Sequence, residues 1–78
     1  MSDKESKNSI QVIERMMKLL EVLADSADAV SLKLLAGKAG LHPSTAHRIL
    51  TALVRDRMVE RVEQGSYRLG MRLLELGN

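Results

Sequence analysis

Apolar residues recur every three or four positions through the first third of the chain, after a polar start. Such spacing predicts an amphipathic helix from about Ser9 to Ala24. The predicted inward stripe is Ile13, Met16, Met17, Leu20 and Leu23. Residues 1–8 are charged and have nothing to bury, so a disordered tail is predicted there. The helix has more apolar residues than one inward face needs, including Ile10, Val12, Met17, Leu19 and Val22.

Two shorter helices and a hairpin are predicted downstream. Ser31 can cap a helix over 32–39, and Pro43 suits the first position of a helix that runs to about Arg57. Residues 58–62 and 66–69 have strand-like composition around Gln64–Gly65, and residues 29–30 form a short strand. Three helices followed by a hairpin predict a mainly α fold with a small β-hairpin. This is a winged helix-turn-helix over 9–70, with the hairpin as the wing.

The segment from 32 to 51 has the pattern of a helix-turn-helix. Ala36 supplies a small residue at the helix crossing, and Gly40 can end the first helix in a left-handed turn. Leu41 fills the turn, and Ala46 and Ile49 fall on the inward side of the second helix. Such a motif places its second helix in a DNA major groove.

A rotation of about 100° per residue divides the third helix into an apolar and a polar side. Base contacts come mainly from the first turns of a recognition helix, and the fork of Arg48 matches the O6 and N7 acceptors of guanine. Other roles stay open: a phosphate contact or a solvated charge for Arg48, capping of a neighbour or packing against the first helix for His47, and an ordinary exposed hairpin for the wing. The candidate DNA contacts are Ser31, Ser44, Thr45, His47, Arg48, Thr51, Arg55, Gln64, Ser66 and Arg68.

Composition narrows the function class. The net charge is only +2, but residues 31–78 carry eight basic and four acidic side chains, while residues 1–30 carry four and six. There is no Cys, and His42 and His47 are too few for a zinc site, so no metal or cofactor is expected. His42 is expected to hydrogen-bond locally in the turn. No catalytic constellation is visible, and no apolar run reaches the ~20 residues of a membrane span, so a cytoplasmic protein that is not an enzyme is predicted.

Three segments resemble one known family: SIQVIERMMKLLEVLA (9–24), VSLKLLAGKAGLHPSTAHRILTALVRDRMVER (30–61) and SYRLGMRLLELG (66–77). They are similar to the N-terminal DNA-binding domain of IclR-type bacterial transcriptional regulators. The resemblance implies a dimer that binds a pseudo-palindromic duplex operator. It also implies that residues 71–78 begin a linker helix to a C-terminal effector domain, absent from this chain, through which a small molecule would act.

The expected function is therefore sequence-specific binding of duplex DNA. A free dimer is expected to be weak without DNA or the effector domain. The main alternative is a winged helix whose third helix docks on a partner protein, and a second is an RNA-binding winged helix. The polar face of the third helix disfavours protein docking, because docking faces usually carry aromatic or apolar anchors.

Overall fold

A computed structural model describes residues 3–73. Three helices precede most of a small antiparallel sheet, which confirms the predicted fold class. The helices are α1 (Asp3–Ala24), α2 (Leu32–Ala39) and α3 (Pro43–Arg55), and the strands are β1 (Val30–Ser31), β2 (Val59–Val62) and β3 (Ser66–Leu69). A 3-10 turn, Glu63–Gly65, joins β2 to β3.

Helix α1 begins at Asp3 instead of near Ser9, so residues 3–8 are helical where a disordered tail was expected. The residues of this segment explain the difference. Lys4, Glu5 and Lys7 have good helix propensity. An acidic residue at the start of a helix also complements its dipole. Residues 1 and 2, which complete the predicted tail, lie outside the described part of the chain.

The inward face of α1 differs from the predicted stripe. Leu19 and Leu23 are buried, and Met16, Leu20 and Val22 pack partly against the core. Ile13 and Met17, which were expected to point inward, are about half exposed. A helix of 22 residues is about 33 Å long, and the short elements beneath it cover only its C-terminal half. The core contacts of α1 therefore begin near Met16.

The junction of α2 and α3 confirms the helix-turn-helix. The Ser31 hydroxyl accepts a hydrogen bond from the Leu34 amide at 3.2 Å and caps α2. Gly40 has φ 69°, a left-handed conformation that glycine adopts without steric cost because it has no Cβ. The Leu41 amide then donates to the Ala36 carbonyl at 2.8 Å, which closes the end of the helix. Ala36 and Ala46 are buried, so small residues do lie at the crossing.

Helix α3 ends at Arg55, two residues before the predicted end. The chain leaves it through Arg57, which has φ 62° and is the one non-glycine residue of the described chain with positive φ. The Met58 amide donates to the Leu53 carbonyl at 3.0 Å, the same closure that Leu41 makes on α2. A helix end of this kind normally carries glycine, so no residue signalled it in the sequence.

Strand β3 lies between β1 and β2, which confirms the predicted hairpin and the short strand near residue 30. Val30 pairs with Tyr67, and Val59 pairs with Leu69. These four residues share the face of the sheet that packs on the helices. The buried core is completed by residues from all three helices: Leu19, Leu23, Leu35, Ala36, Ala39, Ala46, Leu50 and Leu53.

After β3 the chain turns sharply back against the end of α3. The Gly70 amide donates to the Met58 carbonyl at 2.8 Å, and residues 71–73 form a helical turn. The rest of the predicted linker helix, 74–78, lies outside the described residues. Among residues 3–73, no helix is both long and apolar enough to cross a membrane.

Candidate nucleic-acid interface

The start of α3 is fixed by a local hydrogen-bond network. His42 caps the helix, and its Nδ1 accepts from the Ser44 amide at 3.2 Å. The Ser44 hydroxyl lies 2.8 Å from the same nitrogen. His42 is thus a local hydrogen-bond partner, as expected. Together with Pro43 at the first helical turn, it sets the direction in which the first outward side chains of α3 project.

The outer face of α3 presents four of the predicted DNA contacts to solvent: Ser44, His47, Arg48 and Arg55. Thr45 is half-buried at the edge of this face. His47 is exposed on this outer face. Residues 29–55 contain no Asp or Glu, so the sequence around Arg48 is free of carboxylates, whereas Asp56 directly follows Arg55.

Thr51 departs from the predicted arrangement. The helical rotation places it on the polar side of α3, but its side chain is half-buried. Its hydroxyl oxygen is buried and has no hydrogen-bond partner among the described residues. In this conformation the hydroxyl is not offered to DNA, so Thr51 is not among the side chains that the structure presents on the outer face.

A groove between α1 and α3 adds a residue that the sequence did not single out. It is lined by Val12, Arg15, Thr45, Arg48 and Ile49. Arg15 of α1 therefore stands at the same groove as the main candidate for base recognition. Nothing in the sequence signals this proximity, because it depends on how α1 and α3 pack together, and Arg15 and Arg48 are 33 positions apart in the chain.

The wing candidates lie on or beside the face of the sheet that points away from the helices. Ser66 pairs with Ser31 across β1 and β3, so the cap of α2 and the start of β3 are neighbours. Arg68 is exposed and forms a 2.8 Å ion pair with Glu60 across the hairpin. An exposed ion pair contributes only about 0–1 kcal/mol, so a phosphate can compete for this guanidinium. Gln64 lies in the turn at the tip of the wing.

The two arginines of the wing lie on opposite faces of the sheet. Arg61 lies over the ring of Tyr67, with 5.7 Å between the guanidinium carbon and the ring centroid. It therefore shares the helix-facing side, whereas Arg68 is on the opposite side. Of the two, Arg68 is the one that matches the predicted role of the wing.

Helices α2 and α3 cross at small residues, and a left-handed turn at Gly40 joins them. The outer face of α3 is polar, and the β2–β3 hairpin follows it in the chain. These features define a winged helix-turn-helix of the DNA-binding class. The family described as the IclR helix-turn-helix domain matches residues 12–63. The chain belongs to the IclR family, which confirms the resemblance. Sequence-specific DNA binding is accordingly the function of this domain.

Individual relatives agree with this assignment. The chain is 39% identical over 70 residues to the transcriptional repressor IclR of Escherichia coli K12, covering 88% of this chain and 26% of that protein. It is 39% identical over 71 residues to the glycerol operon regulatory protein of Streptomyces griseus, covering 90% and 28%. An IclR homolog from Microbacterium hydrocarbonoxydans, solved with 4-hydroxybenzoate, has 35% identity and a TM-score of 0.76, covering 83% and 27%. The chain spans about a quarter of the length of these relatives.

Proposed function

We propose that this domain binds a pseudo-palindromic operator as a dimer, with α3 of each copy in the major groove. The observation that carries the proposal is the outer face of α3. At its first two turns, Ser44, His47 and Arg48 are exposed together, with no carboxylate between residues 29 and 55. A groove-facing helix end of this kind matches both the charge and the donor pattern of DNA.

The proposal assigns different tasks to the two arginines of α3. Arg48 reads a guanine through two parallel hydrogen bonds, because it stands in the part of the helix that reaches the base edges. Arg55 lies in the last turn of α3 and contacts a phosphate. Ser44, Thr45 and His47 complete the contacts at the helix start. A part for Thr51 requires its side chain to rotate, since its hydroxyl is now buried.

The wing and the start of α2 contact the DNA backbone in this proposal. Arg68 releases Glu60 and meets a phosphate, or enters the minor groove with Gln64 at the wing tip. Ser31 lies at the N-terminus of α2, where backbone amides and the helix dipole favour an anion. Ser66, its partner across the sheet, is placed for the same strand of DNA. Arg15 adds a positive charge on the α1 side of the groove.

The dimer rests on one face of α1. Ile10, Ile13 and Met17 are 54%, 54% and 46% exposed and follow each other at spacings of three and four. They form a stripe that the described chain does not cover, which suits a second copy related by a two-fold axis. Leu19 and Val12, also predicted as surplus apolar surface, do not belong to it. Leu19 is buried in the core, and Val12 lines the groove beside Arg15.

Selection from a random pool of duplex DNA tests the binding mode. We expect a pseudo-palindrome with half-sites about one helical turn, ~34–36 Å, or a multiple of it apart. Affinity for the selected site should fall steeply as salt rises, since each neutralised phosphate releases counterions. Lys18→Ala removes one positive charge from the solvent-exposed side of α1 and serves as the control for the effect of net charge on DNA affinity. Failure to enrich any sequence, with binding that ignores salt, would contradict the proposal.

Sedimentation with and without the selected palindrome tests the dimer separately. The free domain should be mainly monomeric and should form a two-to-one complex with the DNA. Ile13→Glu should remove the gain from the second half-site while leaving binding to a single half-site intact. A wild-type domain that binds each half-site independently would exclude the dimer but not the recognition of DNA. Such recognition would place the domain in the bacterial cytoplasm, where the chromosome is.

A further inference from the structure

The outer face of α2 carries a surface that the core does not use and that, apart from Ser31 at its edge, takes no part in the proposed DNA contacts. The inner face of this helix is fully used, since Leu35, Ala36 and Ala39 are buried. The opposite face exposes what we call the α2 patch: Lys33, Leu34, Gly37 and Lys38, with Ser31 at its edge. The Leu34 side chain is 50% exposed at the centre of the patch.

Gly37 has no packing role among the described residues. It lies inside a helix with ordinary helical φ, and a Cβ added there would meet nothing within 4 Å. Glycine in such a position weakens the helix compared with alanine. Neither backbone conformation nor packing in the domain requires it. The remaining physical reason for a bare backbone is the close approach of something from outside.

The charges of the α2 patch define what can approach. Lys33 and Lys38 lie on either side of Leu34, and no acidic residue occurs between positions 29 and 55. A complementary surface therefore carries carboxylates around an apolar side chain. A DNA phosphate satisfies the lysines, but it gains nothing from a leucine at the centre.

We propose that the α2 patch docks an acidic amphipathic helix of a partner protein. Leu34 provides the apolar anchor, Gly37 lets the partner helix come close, and the two lysines select acidic partners. None of the exposed residues of α3 lines the patch, which meets the proposed DNA contacts only at Ser31 on its edge. The inference goes beyond DNA binding and assigns the domain a second macromolecular contact.

The test is a titration of the 15N-labelled domain with a synthetic helical peptide about four turns long, with a leucine stripe flanked by glutamates. We expect amide shifts concentrated in residues 33–38 and weaker binding at high salt. A scrambled peptide of the same composition and a peptide with lysines in place of the glutamates should not bind. Amide shifts around Ile10, Ile13 and Met17 of α1 instead, or equal binding of the scrambled peptide, would overturn the proposal.

Two substitutions make the test specific. Gly37→Leu should block docking without lowering the melting temperature, because the space above residue 37 is open. Leu34→Gln should weaken peptide binding at least about tenfold, since it removes the anchor. Both variants should keep wild-type affinity for the selected operator. Undiminished peptide binding by Gly37→Leu would refute the docking geometry, and a parallel loss of DNA affinity would assign the patch to the DNA interface instead.

Discussion

The substitution Gly70→Ala probes a close contact between two backbone segments. Gly70 is buried where the chain leaves β3 and passes the turn that ends α3. A Cβ at this position would lie well under 3.0 Å from the Arg57 carbonyl oxygen and 3.0 Å from the carbonyl carbons of Arg57 and Met58. These are backbone atoms, so no side-chain rotation can relieve the contact.

The cost follows from what must move. Separating the two segments breaks or stretches the 2.8 Å hydrogen bond from the Gly70 amide to the Met58 carbonyl. A lost hydrogen bond of this kind costs about 0.5–1.5 kcal/mol, and distortion of backbone angles adds about 1 kcal/mol or more. The total is about 2 kcal/mol, which lowers the melting temperature of a domain of this size by about 8–16 °C.

Thermal unfolding followed by circular dichroism measures the effect, with urea unfolding as a second readout. Gly37→Ala is the matched control, because the same methyl group there meets nothing within 4 Å. That control should be neutral or more stable by up to ~1 kcal/mol, from better helix propensity. If Gly70→Ala melts with the wild type, the crossing over Arg57 is looser than described and the reasoning fails.

Three further perturbations test other parts of the structure. Arg48→Ala should cost about 1–3 kcal/mol on the selected operator and relax the preference at one base, whereas Arg55→Ala should weaken all sequences alike; uniform losses for both would make Arg48 a phosphate contact. Ala36→Leu should overpack the crossing of α2 and α3 and destabilise the fold by about 1–3 kcal/mol, which lowers the melting temperature and abolishes DNA binding. A variant with unchanged melting temperature and DNA affinity would contradict the packing of Ala36 at this crossing. Arg68→Ala should reduce the salt dependence of DNA affinity by about one phosphate contact, and an unaltered slope would remove Arg68 from the interface.

The helix-turn-helix could be predicted nearly to the residue because its signals are short-range. A serine cap, a proline at the first turn and a glycine in a left-handed turn each act within a few residues of their own position. Ser31, Gly40 and Pro43 accordingly mark helix ends that agree with the structure. The end of α3 was misplaced for the same reason, since Arg57 adopts the left-handed conformation without being glycine.

The inward face of α1 could not be identified from periodicity alone. Two apolar stripes run along this helix, one through Ile10, Ile13 and Met17 and the other through Leu19 and Leu23. Both have helical spacing, so the pattern predicts the helix but not which stripe is buried. Contacts with the rest of the fold decide it, and they lie along the C-terminal half of α1. The prediction mixed residues of the two stripes.

The candidate site, like α1, could be predicted only in part from the sequence. The rotation of α3 separates exposed from buried residues correctly at most positions because it is a property of one helix. It misplaces the hydroxyl of Thr51, whose burial depends on the surroundings of the helix in the folded chain. Two other features require elements distant in sequence to meet: the approach of Arg15 to Arg48, and the pairing of Arg68 with Glu60.

The three helices of this small domain share a single core. Each helix therefore has an opposite face that the core does not cover and that other molecules can contact. Arg48, Ile13 and Leu34 lie on three different helices, and all three are exposed and absent from the core. Replacing any one of them should therefore leave the fold intact and remove one interaction.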